Sequence, residues 1–460
     1  MIRSIVEAPR VLFLGLLVYA PWAYGCTVDW AILGLELIAA AILALWLLGC
    51  LLTLRTPHID RWNGVCAAWL LGQGWLMALN AHTRFFLSES KIHVFVLEHA
   101  WWADGPGTAD AATSIAMMWR VTVLLGLLLF ACDLVRSPVW RKRVCWTMVI
   151  GAASMVMFGL FQRVMGAPSI FWLGKPTTVP FFGTFTYHGN AGAFINLVFP
   201  LGVVLAWLSC RDEASRSRKM VALPAAGVLF AGACANTSRA AFAIIFVMGC
   251  LLSAWIVHRS SRSRTPKGGR LLSAVVTVVA VATIAISAGW ETALHKWSLL
   301  PEQLTGENPR VLAMSACMKM LPEAGFLGFG PGTFAITFPH YTAFLGRRIE
   351  GIWRFAHQDY LQAIIEWGFI GAAVLGAIFA RGLVRAFMGS SIPGASESER
   401  ILRFATGLAL LGIALHAVID FPLQMACLQL YVVCLLAIAI SPPPKSDIVV
   451  VKAGGVVIPA

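Results

Sequence analysis

Long apolar runs separated by short polar connections dominate the chain. As a helix, about 20 apolar residues cross about 30 Å of hydrocarbon. Twelve such runs are read at 11–27, 30–53, 63–80, 116–134, 143–162, 190–209, 220–236, 240–257, 271–289, 359–380, 401–418 and 421–440. Pro200, Pro224 and the short gap at 237–239 blur the ends of the sixth to eighth. The predicted fold class is an all-α polytopic membrane protein with about 12 transmembrane helices. The same pattern gives a membrane domain of helices 1–9 over 1–289, a large loop over 290–358, helices 10–12 over 359–440, and a tail over 441–460.

Composition excludes a soluble domain. Of the 460 residues, 59% are hydrophobic and 12% charged, whereas soluble domains carry roughly 25% charged residues. The net charge of +13 lies in the connections, so it points to a bilayer and not to nucleic acid. With the N-terminus inside, the inner connections are 54–62, 135–142, 210–219, 258–270, 381–400 and the tail. Together with the N-terminal residues and the edge residues Arg143 and Arg403, they hold 23 of the 35 Lys and Arg residues. Both termini are therefore expected on the cytoplasmic side of a bacterial inner membrane. The first span is read as a retained signal anchor. Eleven scattered cysteines without a CxxC pair suggest neither a zinc site nor a disulfide framework.

The outer connections are then 81–115, 163–189 and 290–358. The last is too polar to span, yet its aromatic and glycine positions predict an ordered, partly helical loop before the tenth helix. It ends in Trp353-Arg354-Phe355-Ala356-His357-Gln358-Asp359-Tyr360-Leu361-Gln362. Asp359 with Gln362 reads as an N-cap and capping box. That puts His357 just before a helix N-terminus at the outer surface, where a neutral imidazole can serve as a general base. Arg239, after Asn236-Thr237-Ser238, sits at the outer end of a span, and Arg310 and Arg354 lie in the loop with Arg347 and Arg348. Arginines converging on one cavity suit a diphosphate, since the guanidinium fork matches phosphate oxygens. Taken singly, each also fits a snorkelling or ion-paired residue.

Further polar groups could line or support that cavity. Glu366, two turns into the tenth span, and Asp420, between the last two, are carboxylates in or beside apolar segments. Proton coupling and helix-packing hydrogen bonds both fit them. His188 and Asn190 follow Phe182-Gly183-Thr184-Phe185 and begin the sixth span. Gly330 lies in Gly325-Phe326-Leu327-Gly328-Phe329-Gly330-Pro331-Gly332. No strand precedes that segment and no Lys follows it, so it reads as a tight turn packed on the membrane domain and not as a phosphate loop.

These pieces, in this order, resemble the O-antigen ligase and polymerase superfamily. Four signatures carry the resemblance: Phe182-Gly183-Thr184-Phe185 with Asn190 and Ala193; Thr237-Ser238-Arg239-Ala240; Gly328, Gly330, Gly332 and Phe334; and His357-Gln358 followed by Gly368-Phe369-Ile370-Gly371. The resemblance implies a metal-independent glycosyltransferase without a cofactor. Its donor would be a glycan on undecaprenyl diphosphate, and its acceptor lipid A core or a growing polysaccharide. His357 would activate the acceptor hydroxyl, while Arg239 and Arg310 would bind the diphosphate. A ligase and a polymerase share these features. A transporter of a small anion such as bicarbonate is the reading of a different class, for which paired broken helices or midplane charge would be the sign.

Overall fold

In the computed structural model, residues 2–88, 91–96, 100–176, 179–211, 216–261, 309–342, 353–390 and 395–442 are described. The helices are α1 (Ile2–Trp22), α2 (Asp29–Leu52), α3 (Arg61–Leu79), α4 (Ala111–Leu134), α5 (Pro138–Val164), α6 (His188–Arg211), α7 (Arg216–Ala235), α8 (Arg239–Ser261), α9 (Pro309–Ala324), α10 (Phe334–Thr342), α11 (Asp359–Gly389), α12 (Glu397–His416) and α13 (Ala426–Ile440). Each predicted span within the described residues coincides with one of them. The ninth, 271–289, lies outside those residues, as do Arg347 and Arg348.

Seven of the described helices are long and apolar enough to cross a membrane: α1, α2, α4, α5, α6, α7 and α11. The described apolar part of α8 and the whole of α13 are shorter. Polar residues dilute α3 (Arg61, Asn63, Gln73) and α12 (Glu397, Glu399, Arg400, Arg403). The expected all-helical class holds, with one short non-helical element among the described residues. Thr83–Ser88 and Lys91–Val96 pair as an antiparallel hairpin, β1 and β2, with Thr83 opposite Val96 and Ser88 opposite Lys91. The β-branched and aromatic residues of this stretch favour a pleated ribbon, and the run is too short for a span.

Local chemistry sets the helix ends. The Asp60 side chain accepts from Asn63 N–H at 3.1 Å at the start of α3. Asp110 accepts from Thr113 N–H at 2.9 Å before α4, and Ser396 accepts from Glu399 N–H at 3.2 Å before α12. Leu33, Leu37, Leu51 and Phe246 remain exposed on helix faces, as lipid-facing positions do. By contrast α13 is buried along almost its whole length and sits at the centre of the bundle.

A buried ionic cluster closes the far end of α13. Arg141 and Arg403 both pair with Glu399, the latter at 2.8 Å. Arg403 also donates to the Ala439 carbonyl at 2.9 Å, and Arg141 to the Pro442 carbonyl at 3.0 Å. The two cations thus satisfy carbonyls at a helix C-terminus, where the helix dipole favours positive charge.

The segment before α10 interlocks with α11. Gly368 has φ 65° and ψ −179°, which interrupts α11. The carbonyls of Ile365 and Glu366 accept from Phe329 N–H at 2.9 Å and Gly330 N–H at 3.0 Å. In exchange, Phe369 and Ile370 N–H donate to Gly325 and Phe326 carbonyls at 3.2 and 3.1 Å. The two helical bonds that these four groups would make with one another in an intact turn are thus replaced by four bonds to the loop. Gln73 of α3 seals the joint, donating to the carbonyls of Trp367 at 2.8 Å and Leu327 at 3.2 Å. The Glu366 carboxylate accepts from Gly332 N–H at 3.0 Å and Phe334 N–H at 3.3 Å, so it caps the start of α10. The tight-turn expectation for this loop agrees with that geometry, but the loop enters the bundle and does not merely lie on it. Non-helical backbone at such depth is tolerated where protein satisfies its polar groups.

A Cβ on Gly368 would come within 2.3 Å of Leu327 N and Phe326 C, in a dihedral region essentially restricted to glycine at about 1–3 kcal/mol for other residues. Gly368→Ala should therefore lower folded yield and thermal stability sharply. Gly376→Ala, where a Cβ meets nothing within 4 Å, should be tolerated; equal behaviour of the two variants in a thermal-unfolding assay would contradict the interlock.

Candidate active site

His357 and Asp420 are brought together although 63 residues separate them, with His357 Nδ1 3.2 Å from Asp420 Oδ1. The knot that aligns them lies two residues further along the chain. Asp359 N–H donates to the Ala417 carbonyl at 2.9 Å. The Asp359 carboxylate accepts from Leu423 N–H at 2.8 Å and Gln424 Nε2 at 2.9 Å. The start of α11 is thereby tied to both sides of Asp420. This corrects the capping-box expectation: the N-cap is Gln358, whose side chain accepts from Leu361 N–H. Asp359 is drawn off by its donors after α12. Gln362 accepts from Ala356 N–H at 3.0 Å and donates to Glu366 at 3.0 Å, so it faces the loop and not the helix start.

Backbone conformation and ring packing fix the imidazole. His357 has φ 53°, a left-handed conformation uncommon outside glycine and concentrated at functional sites. Its ring stands edge-on to Phe421 at 4.7 Å and Trp353 at 5.4 Å. Phe421 itself stacks on Phe355 at 4.6 Å and on Tyr187 at 5.6 Å. With Nδ1 directed at a carboxylate, the favoured tautomer carries its proton there and leaves Nε2 with the lone pair. That is the orientation required of a general base.

Tyr187 bridges carboxylate and cation. Its hydroxyl donates to Asp420 Oδ2 at 3.1 Å and accepts from Arg310 Nη2 at 3.4 Å. Burial, then the negative charge of Asp420, push the Tyr187 hydroxyl up to about 12 despite Arg310, so it stays a donor at neutral pH. For Asp420, burial pushes the carboxyl up, but the His357 hydrogen bond and the nearby His416, His357 and Arg310 charges outweigh it. The net direction is down, and the group is an anion at working pH. Gly189, on the first turn of α6, makes room for this: a Cβ there would sit 2.7 Å from Asp420 Oδ2 and 2.4 Å from the Tyr187 ring.

The remaining sequence candidates divide. Asn190 is buried beside Gly189 on α6. Asn236 donates to the His188 carbonyl at 2.9 Å, and Ser238 caps α8 by accepting from Ala241 N–H at 3.4 Å. This places half-buried Arg239, the first residue of α8, on the segment packed against the start of α6. Gly330 and Glu366 belong to the interlock and hold the loop, as described above. Arg354 is exposed and, among the described residues, makes no hydrogen bond or ion pair with the His357–Asp420 pair.

Sequence reasoning missed Tyr187 as a site residue. Its signal was its place beside His188 in the polar segment before α6. It also missed the aromatic frame of Phe421 and Trp353, for which spacing gave no sign.

Residues 224–376 match the family model described as O-antigen ligase. This stretch holds Arg239, Arg310, the glycine loop, His357 and Gly368, while Tyr187 and Asp420 fall outside it. No curated protein matches the chain. The match supports assignment to the O-antigen ligase and polymerase superfamily and, with the apolar helices, a multi-pass membrane protein of glycan transfer.

Because the native Asp420 value lies below the ordinary carboxylate value of about 3.9, its ionised form stabilises the fold above that pH, and the contribution is lost as pH falls through the depressed native value. The thermal-stability gap between the protein and Asp420→Asn should therefore narrow as pH is lowered from about 6 to 3. A constant gap across that range would show that the carboxylate is not held as an anion.

Proposed function

We propose that this member of the O-antigen ligase and polymerase superfamily moves a glycan from undecaprenyl diphosphate onto an acceptor hydroxyl of lipid A core, at the outer face of the bacterial inner membrane. The observation that carries the reading is the His357–Asp420 pair joined through Tyr187 to Arg310. The buried carboxylate that orients the base lies one bridging hydroxyl from a guanidinium. Acyl and glycosyl transfer need this pairing of base and anion stabiliser.

In this reaction His357 Nε2 takes the proton of the acceptor hydroxyl as its oxygen attacks the anomeric carbon. The carbon–oxygen bond to the diphosphate breaks, and the diphosphate leaves with the electron pair. Arg310 and Arg239 balance its charge with bidentate hydrogen bonds. Asp420 keeps the imidazole in the right tautomer and stabilises the imidazolium that forms. The sugar–diphosphate bond is already activated, so the scheme calls for no nucleotide.

Extension of a growing polysaccharide uses the same chemistry with a different acceptor. A deletion strain separates the two. Long glycan accumulating on the lipid diphosphate with bare lipid A core means a ligase. Single repeat units without long chains mean a polymerase. An unchanged glycan profile removes both and brings forward transport of a small anion.

His357→Ala should abolish transfer while folded protein persists, and Asp420→Asn should reduce it by about 10²–10⁴-fold, the usual contribution of a positioned base. Arg310→Lys and Arg239→Lys should also be severely impaired, because an ammonium cannot supply the planar fork. Normal transfer by His357→Ala would remove the mechanism; normal transfer by an Arg variant would reduce that arginine to an anchor.

A further inference from the structure

At the opposite end of the bundle from His357, a cavity of about 810 Å³ opens between the start of α1, the end of α2, the end of α4 and the start of α5. This lies within the roughly 300–1,000 Å³ range of small-ligand sites. Its walls have two characters. Leu45, Trp46 and Phe130 form an apolar side, and Arg10, Arg55 and Arg136 a cationic rim.

The charges on that rim do not cancel. Arg55 pairs with Asp133, which is itself held by Trp46 Nε1 at 3.3 Å. Arg10 pairs with Glu7 at 2.8 Å and lies over the Trp140 ring at 5.6 Å. Arg143 covers the same ring at 4.5 Å. Arg136 is exposed and, among the described residues, enters no hydrogen bond or ion pair, so it is the surplus cation at the mouth. Every element of the cavity lies on the side to which the distribution of Lys and Arg assigns the cytoplasm.

We propose that this cavity binds an anionic glycerophospholipid of the inner leaflet, phosphatidylglycerol in class. The phosphate sits among Arg10, Arg55 and Arg136, and an acyl chain lies along Leu45, Trp46 and Phe130. A guanidinium fork matches phosphate oxygens, and basic pockets between helices on the cytoplasmic side are suited to acidic headgroups. A soluble anion would leave the apolar wall unused. A zwitterionic headgroup would bring its own cation to a rim that already has one to spare. The site is separate from the glycan-transfer centre and does not depend on that reading.

The test uses the full-length protein in a neutral detergent, titrated with phosphatidylglycerol, with phosphatidylcholine and with inorganic phosphate, and bound lipid counted by native mass spectrometry. Phosphatidylglycerol should be retained in preference to phosphatidylcholine. Arg136→Gln, which breaks no described contact, should weaken that retention about fivefold, the factor carried by one cation beside an anionic surface. Equal retention of the two lipids, or undiminished retention in Arg136→Gln, overturns the proposal. Complete displacement of the lipid by inorganic phosphate also overturns it and assigns the rim to a soluble anion.

Discussion

The architecture of the candidate site depends on the exchange of hydrogen bonds between α11 and the Gly325–Gly332 segment. Breaking a helix inside a membrane domain exposes two carbonyls and two N–H groups. Left unpaired away from water, each would cost of order 1–3 kcal/mol. Here the loop supplies all four partners, Gln73 supplies two more donor bonds, and the Glu366 carboxylate closes the joint over the start of α10. The start of α10 and the break in α11 are thereby fixed to each other. The strained backbone at His357 lies just before α11, whose first turn is tied to the segment after α12.

From that anchor the rest of the site follows by short steps. Asp359 ties the first turn of α11 to the segment after α12, and this sets Asp420 against His357. Asp420 then orders Tyr187, and Tyr187 orders Arg310. Along this path the Asp420 carboxylate is bonded to the His357 ring and takes a hydrogen bond from the Tyr187 hydroxyl, which in turn takes one from Arg310. The break in α11 is also the feature that a transporter would use to coordinate an ion. In this chain its freed backbone groups are taken up by the loop, which favours anchoring over transport.

Hydropathy made the helices legible, because an apolar run long enough to span leaves few alternatives. It also placed His357 and the arginines, whose chemistry is unusual next to lipid. What it missed depends on contacts distant in sequence. Asp359 read as an N-cap and Glu366 as a carboxylate within a span, yet the first binds the turn after α12 and the second caps a neighbouring helix. No local spacing distinguishes these roles. The capping-box reading of Asp359 and Gln362 failed for the same reason: tertiary donors outcompeted the local ones. The β1–β2 hairpin was hidden in a connection whose residues also suit a loop at the membrane interface.

The central claim is that the His357–Asp420 pair and its arginines break the sugar–phosphate bond of a lipid diphosphate donor and make a glycosidic bond to the acceptor. The most direct measurement is turnover by the purified protein in liposomes, supplied with a glycan on undecaprenyl diphosphate and a lipid acceptor, following both products. The account predicts that acceptor-linked glycan and free undecaprenyl diphosphate appear in equal amounts. Release of the diphosphate without glycan on the acceptor, or no release at all from folded protein, would contradict it.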